Sequence, residues 1–106
     1  LKNSCESQLL TVTYGGTYGC TQGPRLESAA EIKKMHNDGC DLVGMTLMPE
    51  AALAREQKMD YASLCLVVNW CAGVCDEVIS MDKIMARLDS FVPEIREVIL
   101  KTLNSL

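Results

Sequence analysis

Short runs of β-branched and apolar residues alternate along this chain with segments whose apolar residues recur at helical spacing. The runs cover residues 9–20, 41–45 and 60–69, and a helical segment follows each of them. This order of strand, helix, strand, helix, strand and helix is typical of an α/β fold, in which helices cover a sheet. The alternation therefore predicts a layered α/β architecture with a parallel or mixed sheet.

The strand runs differ in character. Residues 9–20 are rich in β-branched and aromatic side chains, and Gly15 and Gly16 interrupt them with a tight turn or a bulge. Residues 60–69 form an almost continuous apolar run that includes two adjacent valines. Such a run predicts a strand that is buried on both faces.

The first helical segment carries signals at both of its ends. Ser28, with Glu31 three residues later, matches a capping box. Ile32 and Met35 follow at helical spacing, and Gly39 is placed to end the helix at the C′ position. The pattern predicts a helix from Ser28 to the Asn-Asp-Gly sequence.

The two later helices are predicted from prolines and from apolar spacing. Pro49 stands at a first helical position and opens the second helix, which runs through residue 58. The third helix begins at Ser80 and continues towards Leu106. We expect Pro93 to kink or split it, because the proline ring clashes with the preceding turn.

Composition excludes several classes of protein. The net charge is −4 and no run of lysine or arginine occurs, so a nucleic-acid-binding surface is not supported. The apolar runs are far shorter than the roughly 20 residues of a membrane-spanning helix. The first residue is Leu1 and not a methionine, so we expect a piece of a longer protein, and the opening residues lack the pattern of a signal peptide.

The even number of cysteines raises the question of disulfides or a metal site. No CxxC pair occurs, and His36 is distant in sequence from Cys71 and Cys75. Cys65 lies inside an apolar run, where a reduced cysteine acts as a small core residue. The spacing favours reduced thiols over a zinc site or a disulfide framework, and we expect no metal.

Three loops follow the predicted strands, at residues 21–27, 45–48 and 69–74. Ligands of open α/β sheets bind beyond the carboxyl ends of the strands. The pattern therefore places a candidate binding site in these loops.

The same loops carry motifs of a known family. The motifs are GTYGCTQGPRLES at residues 16–28, DLVGMTLMPEAALARE at residues 41–56 and YASLCLVVNWCAG at residues 61–73. Together and in this order, they resemble the trimeric purine nucleoside phosphorylases and methylthioadenosine phosphorylases. The last part of the chain resembles the family's terminal helix more loosely.

The resemblance implies a fold and an activity. The fold would be a layered α/β/α domain with a mixed central sheet, and residues 1–106 would be the C-terminal portion of that single domain, without its N-terminal half. The activity would be phosphorolysis of a purine nucleoside in purine salvage, with phosphate as co-substrate and no cofactor. The protein would form a homotrimer in the cytoplasm, with a purine nucleoside and phosphate as partners and with neither nucleic acid nor membrane.

The resemblance also implies roles for single residues. Asn69 would be the catalytic residue that hydrogen-bonds the purine at N7 and at its 6-substituent. Leu26 would pack on the purine face, and Glu27 would bind the base edge. Met45 would lie under the ribose, and Thr46 would donate its hydroxyl to phosphate. An amide at position 69 matches a 6-oxopurine, whereas relatives that prefer a 6-aminopurine usually carry aspartate there.

The start of the last helix bears on the 5′ substituent. Relatives that use ordinary nucleosides place a histidine there for the 5′-hydroxyl, whereas this chain has Met81, with Ile84 and Met85 one turn later. Apolar side chains suit a 5′-methylthio group and cannot satisfy a hydroxyl. The substrate that the resemblance favours is 5′-methylthioinosine.

Several alternatives stay open. Taken singly, Met45 is typical of a core residue, Asn69 of a turn, and the Met81 group of helix packing; only the joint motifs favour ligand contacts. The chain could belong to a methylthioadenosine phosphorylase, to a nucleosidase that uses water, or to a non-catalytic piece that needs a separate N-terminal half. Thr46 is the only phosphate contact implied, so we expect the 106 residues alone to be inactive.

Overall fold

The structure is a computed structural model that describes residues 11–106. These residues belong to two compact units, one of Gly16–Ile79 and one that combines residues up to Gly15 with Ser80–Leu106. We call them the sheet unit and the helix unit. The order of elements is β1 (Tyr18–Cys20), α1 (Ala29–Asn37), β2 (Leu42–Gly44), α2 (Glu50–Glu56) and α3 (Met81–Asn104).

The sheet unit is built on a short parallel pair of strands. Tyr18 pairs with Leu42, and the register continues to Cys20 and Gly44. Asp41 fixes the start of the pair, because its carboxylate accepts a hydrogen bond of 2.7 Å from the Thr17 backbone N–H. The parallel α/β arrangement predicted from the sequence is confirmed for these two strands.

Only the end of the first predicted strand run is a strand. Thr11 to Thr17 have no regular secondary structure, and residues 9 and 10 lie outside the described range. Gly15 and Gly16 have φ angles of +78° and +118°, which side chains with a Cβ rarely adopt. The predicted interruption at these glycines is confirmed, and it limits β1 to three residues.

The prediction of a third strand at residues 60–69 is wrong for this structure. The segment has no strand residues, and Val67 is 68% exposed. A strand exists only when its backbone groups pair with a neighbour, and β1 and β2 pair with each other alone among the described residues. An apolar, β-branched run reports a preference for a buried sheet surface, but it does not supply a partner strand.

Helix α1 has the ends that the sequence predicts. Ser28 is the N-cap, its hydroxyl accepts a hydrogen bond from the Glu31 N–H, and the Glu31 carboxylate accepts one of 2.7 Å from the Ser28 N–H. At the other end Gly39 has a φ of +89°, and its N–H donates to the His36 carbonyl oxygen. The N–H of Cys40 donates to the Met35 carbonyl oxygen, which completes a Schellman motif.

Arg25 extends the capping box of α1. Its guanidinium donates two hydrogen bonds, of 2.8 and 2.9 Å, to the two oxygens of the Glu31 carboxylate. The Arg25 hydrogen bonds, followed by those from Ser28, hold the pKa of the Glu31 carboxyl far below its ordinary value of 4.5. Arg25 therefore acts as a structural partner of an anion within the protein.

A pH-dependent loss of stability follows from this lowered pKa. Because the folded state binds the Glu31 proton more weakly than the unfolded chain does, the ionised carboxylate stabilises the fold above about pH 4.5. The contribution declines as the pH falls below that value. In urea titrations of the complete protein, Glu31→Gln is expected to lower the unfolding midpoint most near pH 7 and progressively less towards pH 3.

The charge-matched control for this experiment is Glu56→Gln, at the exposed end of α2. Its effect on the unfolding midpoint should be smaller at pH 7. A Glu31→Gln effect of equal size at every pH would contradict the assigned role of the ionised carboxylate.

Helix α2 differs slightly from its prediction. Pro49 is the N-cap and not the first helical residue, and the helix ends at Glu56, two residues before the predicted end. Lys58 has a φ of +55°, and the N–H of Met59 donates to the Ala54 carbonyl oxygen. This Schellman-type turn ends the helix even though no glycine is present to signal it.

Helix α3 dominates the helix unit. It runs for 24 residues through Pro93, so Pro93 does not split the helix, and the kink that was the other expectation stays a prediction. A proline removes one backbone hydrogen bond, and the helical ladder on both sides holds the segment together. Val98 is 1% exposed, and it is the only hydrophobic side chain in the described residues that is fully buried.

Among the described residues, no helix meets the length and hydropathy that a membrane span requires.

Candidate functional site

The carboxyl ends of β1 and β2 place two of the predicted loops side by side. The strands end together at Cys20 and Gly44, which are paired in the register. Beyond them, the Thr21 N–H donates a hydrogen bond of 2.9 Å to the Gly44 carbonyl oxygen. The 21–27 and 45–48 loops therefore leave the sheet from neighbouring positions.

The third predicted loop reaches the same region of the sheet unit. A Cβ atom built on Gly73 would lie 2.7 Å from the Ala29 Cβ, so the 69–74 loop packs against the start of α1. Cys71 lies in the same loop, and burial, followed by the negative charge of Glu27, raises the pKa of its thiol. We call these segments, at residues 21–27, 45–48 and 69–74, the three-loop cluster.

Glu27 is a half-buried carboxylate within this cluster. Its Oε1 accepts a hydrogen bond of 2.6 Å from the Thr21 hydroxyl. The same hydroxyl lies 3.4 Å from the Gly44 carbonyl oxygen, a longer and therefore weaker contact than the one with Glu27. Sequence reasoning assigned no role to Thr21, although its position directly after the first strand run was a usable signal.

Cys71 was also missed as a neighbour of the site. Burial raises the pKa of its thiol above the ordinary value, and the negative charge of Glu27 raises it further. Both effects favour the neutral thiol, so Cys71 adds no negative charge beside Glu27 at neutral pH.

Met45 packs closely against the 21–27 loop. Gly23 has a φ of +65°, and a Cβ built on it would lie 2.6 Å from the Met45 Sδ. Glycine at this position therefore makes room for the methionine side chain. Thr46 follows and is exposed, and Leu26 is 47% exposed, so both side chains are accessible in this structure.

Asn69 is half-buried at the start of the third loop. Its Nδ2 donates a hydrogen bond of 2.8 Å to the Trp70 carbonyl oxygen. A carbonyl can only accept, so this contact fixes which end of the amide carries the nitrogen at that position. An amide nitrogen has two hydrogens, so Asn69 keeps a second donor as well as its acceptor oxygen.

The three apolar residues assigned to the 5′ side lie in the other unit. Met81 is the first residue of α3 and is 64% exposed, Met85 is 50% exposed, and Ile84 is half-buried. The Ile84 N–H donates to the Ser80 carbonyl oxygen, which closes the first turn of the helix. The three side chains thus share the first turns of α3.

The described residues contain no group of three or more histidine, cysteine, aspartate or glutamate side chains that could hold a metal ion. The cysteines in this part of the chain are free thiols, at positions Cys20, Cys40, Cys65, Cys71 and Cys75.

Comparison with known proteins identifies relatives of the chain. A probable S-methyl-5′-thioinosine phosphorylase of Xanthomonas campestris is 56% identical over 82 residues, which cover 76% of this chain and 33% of the relative. One of Pseudomonas syringae is 50% identical over 90 residues, covering 85% and 37%. A probable 6-oxopurine nucleoside phosphorylase of Thermococcus kodakarensis is 41% identical over 104 residues, covering 98% and 39%.

The chain thus spans between a third and two fifths of the length of these curated relatives. A family model described as the Phosphorylase superfamily matches residues 1–104, which is almost all of the chain. The resemblance carried by the loop motifs is therefore confirmed, and the chain belongs to the phosphorylase superfamily.

Proposed function

We propose that the complete protein cleaves the glycosidic bond of a 6-oxopurine nucleoside by phosphorolysis, with 5′-methylthioinosine as its substrate. The observation that carries this proposal is the three-loop cluster, in which the Glu27 carboxylate is held by Thr21 and the Asn69 amide by the Trp70 carbonyl. The names of the relatives support the same substrate class.

The reaction needs groups that stabilise a departing purine. A phosphate oxygen forms a bond to C1′ of the ribose while the bond from C1′ to N9 of the purine breaks, and the bonding electrons leave with the base. Negative charge therefore develops on the purine in the transition state. Hydrogen bonds between the Asn69 amide and the purine, at N7 and at the 6-oxygen, would strengthen as this charge grows, which lowers the barrier.

We assign recognition of the edge of the purine base to Glu27. A 6-oxopurine carries a hydrogen on N1, and a carboxylate oxygen accepts a hydrogen bond from that N1–H. A 6-aminopurine has a lone pair at N1 and would meet the carboxylate with two acceptors facing each other. Leu26 supplies an apolar surface for the flat face of the purine.

We assign binding of the sugar and phosphate to the 45–48 loop and to α3. We assign Met45 to the underside of the ribose and the Thr46 hydroxyl to phosphate, where it can donate a hydrogen bond. Met81, Ile84 and Met85 are assigned to the 5′-methylthio group. Thr46 is a single hydroxyl, so we assign the remaining phosphate ligands to the rest of the protein.

The proposal extends to the architecture of the complete protein. We infer a layered α/β/α domain with a mixed central sheet, to which β1, β2 and their helices contribute. Assembly into a homotrimer, a place in purine salvage and a cytoplasmic location belong to the same proposal, because they accompany the family resemblance of the loop motifs.

The experiment that tests the function compares 5′-methylthioinosine, 5′-methylthioadenosine and inosine with the complete protein, each with and without phosphate. Turnover should depend on phosphate. The kcat/KM for methylthioinosine should exceed those for methylthioadenosine and for inosine by about tenfold or more. Turnover without phosphate would show a nucleosidase. A preference for methylthioadenosine would contradict the role of Asn69, and equal use of inosine would contradict that of the Met81 group.

A further inference from the structure

The contact between Thr21 and Glu27 is the shortest side-chain hydrogen bond that we find in the three-loop cluster. The donor is a hydroxyl, the acceptor is a carboxylate oxygen, and the distance is 2.6 Å. Hydrogen bonds of this kind, between a neutral donor and an ionised acceptor, are short and strong. The pair is also partly buried, so water competes with it less than at an exposed site.

Thr21 itself is anchored to the sheet. Its backbone N–H bonds to the Gly44 carbonyl oxygen at 2.9 Å and so extends the β1–β2 ladder by one step. Glu27, in contrast, lies six residues further on, after a bend at Pro24 and Arg25 and just before the N-cap of α1. The hydroxyl therefore ties a carboxylate on a loop to a fixed point at the sheet edge.

This hydrogen bond leaves the Glu27 carboxylate able to bind a ligand. A carboxylate has two oxygens with about four acceptor positions, and the Thr21 hydroxyl occupies one of them. A glutamate side chain that is held in one orientation loses less conformational freedom when it binds than a mobile one does. The bond thus holds the Glu27 carboxylate in one orientation for a ligand.

We propose that Thr21 is a positioning residue for base selection, whose hydroxyl fixes the Glu27 carboxylate as the acceptor for N1–H of a 6-oxopurine. This inference rests on the proposed function. A carboxylate acceptor that is fixed in place favours a base with hydrogen on N1 and disfavours one with a lone pair there. Thr21 acts through Glu27 and does not itself touch the base.

The test uses Thr21→Val, which keeps the shape of the side chain and removes the hydroxyl, with Thr21→Ser as the variant that restores it. Each is measured in the complete protein with methylthioinosine and methylthioadenosine at saturating phosphate. Thr21→Val should raise KM for methylthioinosine about tenfold with kcat within about twofold of wild type, because it weakens ground-state and transition-state binding alike. Preference for the 6-oxo base should fall by a similar factor, and Thr21→Ser should stay close to wild type.

A second set of variants separates positioning from simple loop stability. On a Glu27→Ala background, Thr21→Val should change KM by less than about twofold, because the carboxylate that it positions is gone. Thermal unfolding of each variant shows whether the fold is kept. A purely structural role would instead give equal KM changes on both backgrounds, and unchanged base preference in a folded Thr21→Val variant would equally overturn the inference.

Turnover by the wild-type protein shows whether the positioning role of Thr21 has failed alone or whether the proposed function has failed as well. Wild-type turnover that favours methylthioinosine, together with an unaffected Thr21→Val variant, overturns the positioning role alone. A wild-type protein that does not process purine nucleosides with phosphate overturns both.

Discussion

Replacing Asn69 with alanine in the complete protein is expected to lower kcat for 6-oxopurine nucleosides by about 10²–10³-fold. The amide is assigned to the purine where charge develops, so its loss affects the transition state more than the bound substrate. The fold should change little, because the contact that is lost, from Nδ2 to the Trp70 carbonyl oxygen, is an exposed one. The measurement is steady-state kinetics at saturating phosphate, with thermal unfolding recorded alongside.

The matched control is Asn37→Ala, which removes the same amide from the exposed last residue of α1. It should leave kcat within about twofold of wild type, since surface changes away from a site have small effects. A loss of activity that is equal in the two variants, or an Asn69→Ala variant with wild-type kcat, would remove Asn69 from the catalytic role.

Asn69→Asp probes base selection at the same position. Aspartate has no N–H, so it cannot donate to the Trp70 carbonyl or to a 6-oxygen, but it can accept from a 6-amino group. The ratio of kcat/KM for methylthioinosine to that for methylthioadenosine should therefore fall in this variant. A ratio that stays at the wild-type value would mean that base choice is set elsewhere.

The parts of the fold that the sequence predicts well are those whose partners lie close in the chain. The capping box joins Ser28 to Glu31, and the turn after α1 joins Met35 to Cys40. Both motifs are closed by residues within one or two turns, and their residue types specify the backbone conformation directly. Arg25 illustrates the limit, because its type permits several roles and only the structure shows its double contact with Glu31.

The parts that the sequence does not predict depend on partners that are distant in the chain. The apolar run at residues 60–69 has strand-like composition, yet pairing is decided by a neighbouring strand and not by the run itself. Likewise, the loop motifs identified Glu27 and Met45 by resemblance. They did not predict that the Thr21 hydroxyl bonds to Glu27, or that the Met45 side chain packs against Gly23. Those contacts arise from the way the loops leave β1 and β2.

Gly44, where the paired strands end, is a position at which we expect a methyl group to be costly. The Tyr18 ring leans along the sheet so that its hydroxyl occupies the space of a Cβ on Gly44, and its Cζ would lie 2.8 Å from that atom. Gly44→Ala is therefore expected to lower the free energy of unfolding by about 1–3 kcal/mol, as overpacked substitutions do. Urea unfolding of the complete protein measures the change.

The control for Gly44→Ala is Gly39→Ala, which separates crowding from backbone strain. Gly39 has open space around its Cα but a φ of +89°, so its substitution should cost about 1–2 kcal/mol through the backbone alone. Tyr18→Leu removes the ring and its hydroxyl. In combination it should restore much of the free energy of unfolding that Gly44→Ala removes, and none of that removed by Gly39→Ala. Equal responses of the two glycine variants to Tyr18→Leu would show that the tyrosine does not require glycine at position 44. Because the Gly44 carbonyl also anchors Thr21, recovery of stability should be accompanied by recovery of the preference for a 6-oxopurine.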